Sequence, residues 1–194
     1  MRKIPKTLEN PIDNIIIDDS ENISSLFYKY KLTPNFVTSM SNISALIVIL
    51  FLLNSNYYFA SFFVMLAYFF DCLDGHIARK YKQTSKFGDY YDHISDIIKF
   101  IAIMTTLYYI NKSKFFKILP IICIFLFFSI LHLGCQEIYY DTDESKTLDF
   151  TKKLCPVGFL NNEKNVNNTL NYTKYFGCGS LNIVLALCIV YYDM

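Results

Sequence analysis

Residues 71–96 read DCLDGHIARKYKQTSKFGDYYDHISD, and this stretch sits between two apolar runs. It carries Asp71, Asp74, Asp92 and Asp96, two glycines and Arg79 at fixed intervals. Asp71 and Asp74 are three residues apart, and Asp92 and Asp96 are four apart, so on helices each pair shares a face. Gly75 follows Asp74, and Gly88 stands one helical turn before Asp92. A basic, polar segment, 79–86, lies between the halves. Two helices joined by that segment direct all four carboxylates into one space. Carboxylates so placed repel one another unless a cation neutralises them. An all-oxygen ligand set suits Mg²⁺, Mn²⁺ or Ca²⁺.

Outward from this stretch the chain is apolar. Hydrophobic residues make up 53% of the 194, which favours several membrane crossings over a soluble fold. Five apolar segments are expected, near 36–53, 57–73, 89–110, 115–133 and 178–192. Tyrosine pairs mark several of their ends and serve as aromatic belts in a chain without tryptophan. The segment from 135 to 177 reads as a long loop. Residues 1–20 read as a polar, loosely ordered arm ahead of a membrane domain spanning 21–194. Within it, Ile23, Leu26, Phe27 and Tyr30 recur at helical spacing, as in a short amphipathic helix lying in the interface. The predicted fold is therefore all-α: a bundle of five to six transmembrane helices with an N-terminal interfacial helix.

If the five segments alternate, fourteen Lys/Arg residues fall on the side of the aspartates and three on the other. The positive-inside rule then turns the acidic end to the cytosol. A net charge of only +1 gives no reason to expect a nucleic-acid partner. The six cysteines contain no C-x2-C pair, which argues against zinc. Cys123 and Cys188 read as small core residues. Cys135, Cys155 and Cys178 fall in or beside the cytosolic loop, where thiols stay reduced.

The stretch 71–96 resembles the signature of the CDP-alcohol phosphatidyltransferases, D-x2-D-G-x2-A-R-x8-G-x3-D-x3-D. Every fixed position is present: Asp71, Asp74, Gly75, Ala78, Arg79, Gly88, Asp92 and Asp96. Upstream, Pro34-Asn35-Phe36-Val37-Thr38 is similar to the family's P-N-x2-T element, which helps hold the nucleotide-phosphate end of the donor. The resemblance covers 22–133 well and implies an integral-membrane transferase of phospholipid synthesis. Such an enzyme moves a substituted phosphate from a CDP-linked lipid or alcohol to an acceptor alcohol and releases CMP. The competing reading is a catalytically inactive, lipid-binding or scaffold relative. The resemblance also implies two ions, Mg²⁺ or Mn²⁺, on Asp71, Asp74, Asp92 and Asp96, with Asp96 as general base. Asn35, Thr38, Gly75, Ala78, Arg79, Ser85 and Gly88 are the implied donor contacts, and a homodimer is open.

Several residues keep two readings. Ser85 is a donor contact or a turn residue between helices. Lys80, Lys82 and Lys86 attract phosphate or only set topology. Asp92-His93-x2-Asp96 resembles the choline and ethanolamine phosphotransferases, while Gln83-x-Ser85-x-Phe87-Gly88 is closer to the phosphatidylinositol synthases, so the acceptor stays open. His132 reads as a hydrogen-bonded helix residue.

Overall fold

The computed structural model describes residues 2–140, 149–156 and 163–194. Among them the chain is helical: α1 (Pro11–Lys29), α2 (Pro34–Leu53), α3 (Tyr57–Lys80), α4 (Lys86–Ile110), α5 (Lys112–Tyr140), α6 (Asp149–Lys152), α7 (Glu163–Thr173) and α8 (Cys178–Val190). A single 3₁₀ turn, Lys174–Phe176, leads into α8. Five stretches are long and apolar enough to cross a bilayer: Pro34–Leu53, Tyr57–Lys80, Lys86–Ile110, Lys112–Tyr140 and Val166–Val190. The protein is a membrane-spanning helical bundle, as its apolar runs predict. The fifth crossing starts earlier than the expected 178, because the end of α7, within the expected loop, extends it back to Val166.

The arm differs from expectation. One helix starts at Pro11 instead of a short one near residue 21, because Asn10 and Pro11 form a start signal. The Asn10 side chain accepts hydrogen bonds from the N–H groups of Ile12 (2.9 Å) and Asp13 (3.3 Å). Pro11 occupies the first helical position, where its missing N–H costs nothing. The arm is also docked. Asn10 Nδ2 donates to Lys174 O (2.6 Å) and Ser180 Oγ (2.8 Å), across most of the chain's length. A Cβ on Gly179 would collide with the Asp13 carboxylate, so glycine there lets α8 approach the arm.

α1 packs along α3. Tyr68 donates to Asp13 Oδ1 (2.6 Å), His76 and Lys80 pair with Glu21 (2.7 and 2.6 Å), and the Tyr28 and Tyr81 rings stack at 3.9 Å. This helix buries Asp13, Ser20 and Ser24, packs Ile23 and Phe27 against the cluster of Val37, Leu73 and Ile77, and leaves Ile15 and Leu26 exposed.

Three helices end alike. Lys31, Ser55 and Lys82 adopt left-handed backbone, with φ of 55°, 56° and 54°. After each, an N–H reaches back five residues: Leu32 to Phe27, Asn56 to Phe51 and Gln83 to Ala78, at 3.0, 2.8 and 2.8 Å. This bond closes a Schellman turn, a place where glycine is usual.

At the end remote from the aspartates, α2, α3, α4, α5 and α8 share one apolar core built on Leu52, Leu107, Ile122 and Ile189. Tyr192 closes it by donating to Leu107 O (3.2 Å). A second apolar cluster, near the arm, gathers Ile4, Leu8, Val166 and Leu170 around Cys135 and Cys155.

Those two cysteines are bonded, with Cα atoms 5.2 Å apart. From the sequence each reads as a separate reduced thiol, and the structure corrects this. Gly134 explains the approach: a Cβ there would strike the Thr151 carbonyl, so glycine lets the α6 backbone lie against α5.

Candidate active site

α3 and α4 are joined by a short turn, 81–85. Ser85 caps α4, its Oγ accepting from Gly88 N–H (3.0 Å). The turn residue and the donor contact are thus compatible readings of Ser85, because it also lines the pocket between the helices. Asn35, Thr38, Gly75, Ala78, Arg79 and Gly88 line that same pocket. Asp74 and Asp92 line it as well.

The two glycines are there for space. A Cβ on Gly88 would lie 3.0 Å from both Asn35 Oδ1 and Ser85 Oγ. A Cβ on Gly75 would come within 3.1 Å of an Arg79 guanidinium nitrogen. Arg79 therefore folds back over Gly75, with its planar donor fork in the pocket where a diphosphate can be gripped in bidentate fashion.

The aspartates divide. Asp71, Asp92 and Asp96 each offer an oxygen within 4.8 Å of the others. Asp74 is set apart, buried, and takes a 2.5 Å hydrogen bond from Thr38 Oγ1 on its Oδ2. Thr38 is in turn anchored to Pro34 O (3.2 Å). The P-N-x2-T element thus reaches the aspartates directly, through its last residue.

These acids fit a hard divalent cation. All donors are carboxylate oxygens, and Asp92 Oδ1 is buried with no hydrogen-bond partner among the described residues. A buried, unpaired carboxylate oxygen is costly unless something charged completes it.

One basic residue of the site was missed by the sequence reading. Lys99, midway along α4, reaches Asp96 Oδ1 (2.7 Å), Asp71 Oδ1 (3.2 Å) and Ser41 Oγ (2.7 Å). Ser41 passes the contact on to Ala67 O (2.8 Å). A lysine inside an apolar run was the available signal, since such residues are rare and functional. Beside it, Tyr91 and Ser95 of α4 bond to Ser39 and Asn42 of α2, a polar seam that also went unread.

The histidines separate by role. His76 pairs with Glu21 Oε2 and is 1% exposed, so it fixes α1 to α3. His132 bonds Thr173 Oγ1 (2.9 Å) and Gln136 (3.1 Å), as a helix-packing residue does. His93 lines the pocket and lies 3.3 Å from Asp89 Oδ1.

A family model, CDP-alcohol phosphatidyltransferase, matches residues 31–144, more than half of the chain. The chain belongs to the CDP-alcohol phosphatidyltransferase family. Comparison with curated proteins and with solved structures gives no match. Membership makes the protein one of a group of membrane transferases that move phosphate groups from CDP-alcohols in phospholipid synthesis. The family uses a divalent metal, and the Asp71, Asp92 and Asp96 cluster is compatible with one.

Proposed function

We propose that this CDP-alcohol phosphatidyltransferase transfers a substituted phosphate from a CDP-linked lipid or alcohol to the hydroxyl of a second alcohol. Its donor pocket is lined by Asn35, Thr38, Gly75, Ala78, Arg79, Ser85 and Gly88, together with Asp74 and Asp92. The observation that carries this reading is the convergence of all seven donor positions on one pocket that Asp74 and Asp92 also line.

Asp96 is the proton acceptor. Its side chain keeps 40% exposure, so an acceptor hydroxyl can reach it, and Lys99 holds one of its oxygens. The acceptor oxygen loses its proton to Asp96 and attacks the phosphorus bearing the transferred group. The new P–O bond forms as the bond to the CMP phosphate oxygen breaks, and CMP leaves with that electron pair. Arg79 balances the charge that gathers on the leaving phosphate. Mg²⁺ or Mn²⁺ on Asp71, Asp92 and Asp96, with Asp74 beside them, would supply the remaining neutralisation. The excess of basic residues at this end turns the pocket to the cytosol.

The test is CMP release by purified protein in lipid nanodiscs. Labelled CDP-diacylglycerol, CDP-choline and CDP-ethanolamine are offered with a panel of acceptor alcohols. Release is expected with at least one pair, only with Mg²⁺ or Mn²⁺, and is expected to stop in excess chelator. Folded protein that releases no CMP with any pair supports an inactive lipid-binding relative, and full activity in chelator refutes the metal assignment.

A further inference from the structure

The pocket has a second wall that the family signature does not supply. It is formed by Lys3, ahead of α1, and by Glu137 and Tyr140 at the end of α5. Lys3 Nζ donates to Glu137 Oε1 at 2.5 Å, joining residues 134 positions apart. The Glu137 side chain is 2% exposed and that of Lys3 is 20% exposed. Both line the same pocket as Arg79, Asp74 and Asp92.

An ion pair this deep is a poor source of stability, because desolvation offsets its Coulomb gain and an apolar pair of similar volume serves as well or better. Its chemistry suits recognition instead. The pair is neutral as a unit, so it attracts neither a phosphate nor an ammonium headgroup strongly. It presents ammonium N–H donors next to a carboxylate acceptor. Two adjacent hydroxyls match that arrangement: one oxygen accepts from Lys3 while the neighbouring O–H donates to Glu137.

We propose that the Lys3–Glu137 pair is a hydroxyl-recognition subsite, contributed by the N-terminal arm and α5, for a diol on one of the two substrates. The inference rests on the transfer reaction proposed above. Two diols meet in that reaction, the ribose of the CDP donor and a polyol acceptor, and they share this chemistry. A site built for hydroxyls discriminates sharply against an analogue lacking them, because its own buried polar groups are then left unpaired.

The experiment uses the full chain in nanodiscs with Mn²⁺. CDP and its dideoxyribose analogue are titrated calorimetrically into wild type, Lys3→Met and Glu137→Gln, and KM and kcat are measured for glycerol and inositol. Thermal stability of each variant is recorded alongside. If the ribose is the ligand, wild type prefers CDP over the dideoxy analogue by about tenfold or more. Both variants then lose that preference while still binding the analogue. If the acceptor is the ligand, nucleotide affinities stay level and the polyol KM rises by a similar factor at unchanged kcat. The subsite is overturned if both variants keep nucleotide affinities and acceptor KM within about twofold of wild type, or if CDP and its analogue weaken equally as the protein destabilises. Wild type that neither binds CDP nor releases CMP overturns the transfer reaction and the subsite together, whereas an active wild type with indifferent variants overturns the subsite alone.

Discussion

At one end of the bundle Leu52, Leu107 and Ile189 are wholly buried among other apolar side chains. At the other, Asp74, His76, His132 and Glu137 are at most 3% exposed, and each is held by a named polar partner. The first region is specified by volume, the second by complementarity. Volume tolerates exchange of one apolar residue for another of like size. Complementarity does not, since removing one partner strands the other without water. Damage at the two ends should therefore differ in kind.

The largest effect is expected for Asp96→Asn, which keeps the side-chain shape and removes proton acceptance. Turnover should fall by about 10²–10⁴, and CDP affinity should fall by less, because Asp71, Asp74 and Asp92 remain to hold metal. Near-normal turnover, measured as CMP release, would remove Asp96 from the base role. Leu107→Ala probes the opposite end. It should cost about 2–5 kcal/mol of stability and leave turnover per folded molecule intact. A kcat that falls with stability would show the two ends to be coupled.

Lys99→Met sharpens the contrast within the site. Removing a fixed ammonium beside Asp71 and Asp96 should tighten Mn²⁺ binding by about tenfold, roughly 1.4 kcal/mol. Manganese titration followed by electron paramagnetic resonance reads this directly. Weaker binding would mean that Lys99 acts chiefly by holding the carboxylates in place.

The smallest effect concerns Asp13, whose carboxyl is pushed up to about 7 by burial, against the opposing hydrogen bond from Tyr68. Burial also raises Glu9. A folded carboxyl with a raised pKa holds its proton where the unfolded one has released it. Stability should thus fall as pH climbs from the ordinary aspartate value of 3.8 toward 7. Asp13→Asn should flatten that slope in melting temperatures recorded across the window, and an unchanged slope would assign it elsewhere.

The site was legible where function demands fixed spacing on a helix. Four aspartates, two glycines, Ala78 and Arg79 lie within one helix–turn–helix, so a linear pattern carries their geometry. Lys99 lay just beyond the pattern, and counting basic residues loop by loop passed over it. Asn10-Pro11 carried a readable helix start, masked by the polar residues around it. The Lys3–Glu137 and Cys135–Cys155 contacts have no local trace, because they depend on how the arm and α6 dock on α5. Expectations for the rest of the 135–177 loop that fall on 141–148 and 157–162 lie outside the described residues.

The charge pattern of α4 bears on how the chain enters a bilayer. α4 is the least apolar of the five crossings, and it carries Asp92, Asp96 and Lys99. A single charged residue at the centre of an inserting helix costs roughly 2.5–3.5 kcal/mol. Groups that offset the Lys99 charge, Asp71 of α3 and Ser41 of α2, come from helices made earlier. A translocon that released α4 by itself would face those charges unpaired, whereas α3 and α4 released as a hairpin bring Asp71 and Lys99 together. The residues that await a substrate in the finished protein thus also dictate the unit in which the nascent chain leaves the channel.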